Sequence, residues 1–336
     1  MQAERNSAKK RMQKRSGYDI VASEAERGRA SDDGGMTEID YPGLMDLRVD
    51  YAFKLMFSSG GAHRLICLLN AIFENKKIPR VVTGLTIENP ILDRASLKDK
   101  LSVLDLRVRL DDGTSASVEM HLYDLMNHKF KTLRSWARIF GEDLKAGEDY
   151  ARQNPVICIS LINGPITNSK GRAVRKIHSL FKVMERDSHE VLMDAMELHY
   201  INMRAFVRHC REKGKPETGY DRFTRWMMLI THKMLRDGEA LKSISGDDEI
   251  GEAMRALTRL SSNKIKRQAY QRRLDELRSY NSVVREIAEK DAVIADKDAV
   301  IMDKDAALAD KDAAHIAEIA DKDAIIAQLK AQLGDN

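Results

Sequence analysis

Two neighbouring segments of the chain alternate apolar and polar residues. In residues 101–110, Leu104, Leu106, Val108 and Leu110 share one face of an extended strand, and Val103, Asp105, Arg107 and Arg109 share the other. In residues 114–123, Ala116, Val118, Met120 and Leu122 oppose Ser117, Glu119, His121 and Tyr123. Asp111-Asp112-Gly113 lies between them and predicts a three-residue hairpin loop, with Gly113 in the left-handed position of a G1 bulge. That loop pairs Leu110 with Thr114. Counting back sets Leu106 opposite Val118, Leu104 opposite Met120 and Asp105 opposite Glu119. A two-residue Asp-Gly loop would slip the register by one, set Glu119 against Leu106 and mix the two faces, so the longer loop is preferred.

The rest of the pattern predicts the surroundings of this hairpin. Tyr51, Phe53, Leu55, Met56 and Phe57, then Leu65, Ile66, Leu68, Leu69, Ile72 and Phe73, read as two helices broken at Ser58-Ser59-Gly60-Gly61. Residues 81–89 read as a strand before the hairpin. A helix over about residues 126–147 carries Phe130, Leu133, Ala137, Phe140 and Leu144 on one heptad-spaced face and Lys131, Arg134 and Arg138 on a neighbouring one. Residues 155–162 are continuously apolar, as a strand buried on both faces would be. The predicted order is α-β-β-β-α-β. One more strand is expected at about residues 198–206, and otherwise helix to Tyr280.

The tail is a repeat. Lys-Asp-Ala recurs from Glu289 and then in Asp-Lys-Asp-Ala units starting at 296, 303, 310 and 321, a period of seven followed by one step of eleven. Ile287, Ile294, Ile301 and Leu308 form one row, but Asp and Lys occupy the matching second row. A self-associating coiled coil is expected, making the protein a homo-oligomer through its C-terminal helix, with a solvated single helix held by charge pairing as the alternative. The expected organisation is a disordered basic segment at 1–44, a sheet-containing core at 45–165, a mostly helical subdomain at 166–280 and a heptad-repeat helix at 281–336.

Composition narrows the class rather than the function. The 56 Lys+Arg and 52 Asp+Glu nearly balance, although Arg5, Lys9, Lys10, Arg11, Lys14 and Arg15 make the first residues basic. Cys67, Cys158 and Cys210 are odd in number and far apart, which fits buried thiols and gives neither a disulfide framework nor a zinc spacing. No apolar run approaches a membrane span and no secretory core opens the sequence, so a soluble, cytoplasmic protein is expected. The remaining histidines, among them His178 and His199, have no ligand spacing.

The chemistry lies in the hairpin. Carboxylates directly opposite on a sheet repel each other and cost stability, and a divalent cation between Asp105 and Glu119 would reverse that sign. The Asp followed by Glu-x-His on its hairpin partner, in this order of elements, resembles the PD-(D/E)XK nuclease fold. More narrowly, the chain resembles the recombination-promoting nuclease/putative transposase family. The resemblance runs from Asp50 to about Tyr280, through Asp50-Tyr-Ala-Phe-Lys54, Leu101-Ser-Val-Leu-Asp-Leu-Arg107, Val118-Glu-Met-His121, Gly147-Glu-Asp-Tyr150 with Asn154-Pro-Val-Ile-Cys-Ile-Ser160, and Tyr270-Gln-Arg-Arg273. It implies an α/β restriction-endonuclease-like core that cleaves DNA with Mg2+ or Mn2+. Asp105 and Glu119 would be the metal-binding acids, and the Met120 carbonyl is a further candidate ligand.

Asp50 matches an acidic position that could reach a ligand or its water, and equally suits a helix N-terminus. Lys54, one turn on, could contact phosphate. The family's third position is usually Gln, and Lys in the wider superfamily, but here it is His121. Its side chain shares the parity of Glu119, and imidazole can donate to phosphate or take a proton from water. The departure sets a second function beside the nuclease, a DNA-binding relative with weakened cleavage that oligomerises through its tail. Lys131, Arg134 and Arg138 read either as a solvated helix face or as a phosphate-contacting surface.

Overall fold

The alternation at residues 106–121 folds as an antiparallel hairpin of β2 (Leu106–Leu110) and β3 (Ser115–His121), with Leu106 opposite Val118 and Val108 opposite Ala116. Leu110 N–H donates to the Thr114 carbonyl at 2.8 Å, and Gly113 closes the loop at φ +85°. A side chain at Gly113 would be strained by that backbone angle and would also meet Asn154 Oδ1 at 2.9 Å. The computed structural model describes residues 43–60, 62–88, 105–122, 128–144, 147–168, 172–214 and 219–334. The expected disorder of nearly all of 1–44, the strand positions Val103, Leu104 and Tyr123, and the start of the 126–147 helix lie outside these residues.

Two helices, α1 (Asp50–Ser58) and α2 (His63–Asn75), precede an edge strand β1 (Leu85–Ile87), shorter than the 81–89 expected. After the hairpin come α3 (His128–Asp143) and β4 (Val156–Ile162). β4 pairs parallel to β3, as a strand returning through a crossover helix must. All seven residues of each are buried, because strands flank both edges and helices cover both faces. Ala116, Val118, Met120, Ile157, Ile159 and Leu161 face the larger core with α1 and α2. Val156, Cys158 and Ile162 face a smaller one around Ile139 of α3. Cys67 and Cys158 are buried free thiols and Cys210 is partly exposed.

The sheet continues past residue 165. A small ribbon, β5 (Ile166–Thr167) with β6 (Ala173–Val174), is followed by β7 (His178–Phe181) and β8 (Met196–Asn202). The last two complete a six-stranded sheet in the order β1-β2-β3-β4-β8-β7. The strand expected at 198–206 therefore begins and ends earlier. Asn202 accepts the N–H of Ala205 at 2.9 Å and caps α4 (Met203–Lys213), which places Phe206 on a helix. Four further helices, α5 (Arg222–Ile230), α6 (His232–Leu235), α7 (Gly238–Ile244) and α8 (Asp248–Ser262), thicken the larger core, where Trp226 packs on Phe57 at 5.7 Å.

The expected orientation of α3 is corrected. Its buried residues are His128, Thr132 and Ile139, whereas Phe130 and Leu133 of the anticipated apolar face are exposed. The sheet beneath α3 presents a polar patch, Ser117, Glu119, His121 and Ser160, and Thr132 Oγ1 meets Ser160 Oγ at 2.8 Å. The inward face matches this mixed surface, its hydroxyls meeting the polar patch and Ile139 the apolar one.

The final helix, α9 (Lys264–Gly334), spans 71 residues without a break. The chain divides into one compact unit ending at Arg278 and a second from Ser279 onward. In the first, Tyr270 Oη accepts from Asp46 N–H at 3.2 Å. In the second, Ile287, Ile294, Ile301 and Leu308 are exposed, and Lys290–Glu286 and Lys322–Glu318 pair at 2.7 Å, one turn apart. No described helix is long and apolar enough to cross a membrane.

Candidate metal and catalytic site

Glu119 sits on a central strand, buried under α3. Its Oε1 accepts a hydrogen bond from Ser135 Oγ at 2.7 Å, and its Oε2 lies 3.2 Å from His121 Nε2. Burial pushes this carboxyl upward, but His121 and the Ser135 hydroxyl outweigh it and hold Glu119 below the usual carboxylate range. The His121 contact is close enough for attraction yet poorly aligned. Both ring nitrogens are buried and have no well-formed hydrogen bond among the described residues.

Asp105 precedes the β2 ladder by one residue, next in register to Glu119. It moves the other way. Burial, and then the charge of Glu119, raise it above its ordinary range, with Lys54 and Arg138 opposing. The cross-strand repulsion expected from the sequence is thus present in the electrostatics of this pair.

Asp50 and Lys54 are one turn apart on α1, and both are buried. Burial lowers Lys54, while the charges of Asp105 and Asp50 work against that. The ammonium therefore belongs to the acid site. Asp50 has a partner that the sequence reading did not give it. Arg273 grips its carboxylate, with Nη2 at 2.6 Å from Oδ2 and Nε at 3.0 Å from Oδ1. Only 8% of Arg273 is exposed, so the pair is an internal strut between α1 and α9.

Lys131, Arg134 and Arg138 are exposed on α3. Lys131 lies within electrostatic reach of Glu119, and Arg138 Nη2 is 4.0 Å from Asp105 Oδ2. Arg107 and Arg109 share the Asp105 face of β2 but point to the far end of α3. Arg107 pairs with Glu142 at 2.7 Å and Arg109 with Asp143 at 2.6 Å, while both reach Glu88. They clamp the helix that carries Ser135. Neither the Ser135 hydrogen bond nor the Arg273 strut was anticipated. Ser135 continues the buried row of His128, Thr132 and Ile139, a signal masked by the stronger apolar row beside it.

Among the described residues no cluster of three or more His, Cys, Asp or Glu could hold a metal. The donor set is two carboxylates. That number suits Mg2+ or Mn2+, because a small hard cation keeps waters and takes phosphate oxygens at its other positions. The mutual repulsion of Asp105 and Glu119 is a second point of fit, since a cation would relieve it. Comparison with curated proteins and with solved structures gives no match. Residues 47–287 match the family described as PD-(D/E)XK nuclease family transposase, and the chain belongs to that family.

Proposed function

We propose that the protein is a metal-dependent DNA endonuclease of the recombination or transposition kind, built on a restriction-endonuclease-like core. The observation that carries the reading is the juxtaposition of half-buried Asp105 with buried Glu119, in which burial and the charge of Glu119 raise the Asp105 carboxyl, a cost that a cation would relieve. Asp105, Glu119 and the Met120 carbonyl would hold Mg2+ or Mn2+, which when bound activates water and neutralises charge on the phosphate. Ser135 orients Glu119. Lys54 binds a phosphate oxygen from the α1 side, with Asp50 keeping its ammonium in place and Arg273 fixing Asp50. His121, its ring buried 3.2 Å from Glu119 Oε2, would act through that carboxylate rather than directly on phosphate. Lys131, Arg134 and Arg138 supply affinity for the DNA backbone.

Supercoiled plasmid incubated with Mg2+, Mn2+ or EDTA tests this. Nicking with either metal, abolished by EDTA and by Asp105→Ala or Glu119→Ala, is expected. Equal nicking by either variant would remove its residue from the site.

A second reading is a DNA-binding relative with weakened cleavage. It is favoured by the position of His121, whose ring stands against the Glu119 oxygen that a cation would use. Under that reading the protein binds plasmid and does not nick it with any of these metals, and His121→Gln restores cutting.

A further inference from the structure

The helix beside the site presents an apolar edge to solvent. Phe130 is 73% exposed and Leu133 is 44% exposed, one turn apart on α3. At about 100° per residue, Ser135 faces the sheet, Lys131 and Arg138 flank it on the site side, Arg134 follows, and Phe130, Ala137 and Leu133 come next. The apolar edge therefore adjoins the basic row, and the basic row adjoins the acids. Phe130 lies about 7 Å along the helix axis from Ser135, toward the start of α3.

We propose that Phe130 and Leu133 form a base-contacting platform that makes single-stranded or frayed DNA the preferred ligand of this site. The proposal rests on the nuclease reading for its choice of DNA. The charge pattern favours nucleic acid, because a strand whose phosphates lie along Lys131, Arg134 and Arg138 has its bases beside the exposed ring. Aromatic side chains stack on any unpaired base regardless of sequence, and an aliphatic neighbour can wedge against the next one. Intact duplex hides its base faces and offers this edge only phosphates. A second copy docked through the same edge about a two-fold axis would bring the two basic rows together, like charge to like.

The experiment uses the full chain in EDTA, so that nothing is cut. Anisotropy of a labelled oligonucleotide is compared for the single strand, the duplex of the same sequence and a duplex with a frayed end. The wild type should bind the single strand and frayed duplex more tightly than the blunt duplex. Phe130→Ala with Leu133→Ala should lower single-strand affinity about tenfold and change duplex affinity less than about twofold. Phe130→Trp should keep the preference, and Lys131→Ala with Arg134→Ala and Arg138→Ala should weaken all three ligands. Equal loss for strand and duplex in the Phe130/Leu133 variant, or no loss in either, would overturn the platform and leave the nuclease reading standing. So would a light-scattering dimer that this variant converts to monomer. No binding of any ligand by the wild type would remove DNA as the partner altogether.

Discussion

Lys54 is the residue on which the site's charge balance turns. Burial disfavours the Lys54 ammonium, and the charges of Asp105 and Asp50 oppose that effect. Replacing it as Lys54→Met keeps the volume and removes the charge. We expect cleavage to fall about a hundredfold or more, the scale of a lost electrostatic donor, while plasmid binding is largely retained and Lys54→Arg recovers part of the rate. Cleavage at the wild-type rate in Lys54→Met would exclude it from the chemistry.

The far side of the sheet holds a second polar group with a different purpose. Asn75, His178, His199 and Glu197 run as a hydrogen-bonded chain with spacings of 2.8, 2.9 and 3.4 Å, and Arg80 and Lys182 face its Glu197 end. Burial, His199 and then Lys76 push His178 down from 6.5 to about 2, and burial lowers His199 as well. The His178 imidazole stays neutral in the folded protein and gains a proton on unfolding in acid. The unfolded state therefore binds more protons below 6.5, and stability falls as pH drops through that value toward 2. His178 alone should contribute a loss of about 1.4 kcal/mol between pH 7.5 and 5.5, and His199 adds in the same direction. Urea unfolding at the two pH values measures it. A slope unchanged in His178→Gln would disprove this linkage.

At the scale of elements, the hairpin shows what a sequence states openly. Its register followed from alternation and one glycine, because a one-residue slip exchanges the two faces of a strand. The buried β4 was equally legible from its unbroken apolar run. The face of α3 was not. Phe130 and Leu133 outweighed Thr132 and Ser135 on any hydrophobic count, yet the sheet below is mixed, with Ser160 and Glu119 meeting the hydroxyls beside the apolar patch around Ile139. Nor could local pattern show that Arg273 returns across 223 residues to Asp50, or that β7 and β8 join a sheet begun so much earlier. Long-range pairing leaves no periodic trace in either partner. The Asp50–Arg273 strut carries a prediction of its own. Asp50→Ala leaves a buried guanidinium without its main counter-charge and should destabilise the first unit by about 3 kcal/mol or more. Arg273→Met combined with Asp50→Ala should recover part of that loss in chemical denaturation, and a double variant no more stable than Asp50→Ala would argue against the pair.

On the scale of the whole molecule, the open question is what the repeat helix adds. The seven-residue period supplies one apolar row, and the charged second row predicts weak association. Deleting residues 279–336, the second compact unit, should lower the mass seen by light scattering and shift products from double-strand breaks toward nicks, since a single site cuts one strand at a time. Full-length protein that is monomeric at tens of micromolar would leave the tail as a lone charged helix. The claim on which the functional account rests is nevertheless local to the hairpin. Anomalous diffraction from crystals of the full-length protein soaked in Mn2+ tests it most directly. The account predicts one peak within bonding distance of carboxylate oxygens from both Asp105 and Glu119. A peak bonded to neither acid, or no peak there at saturating Mn2+, would contradict it.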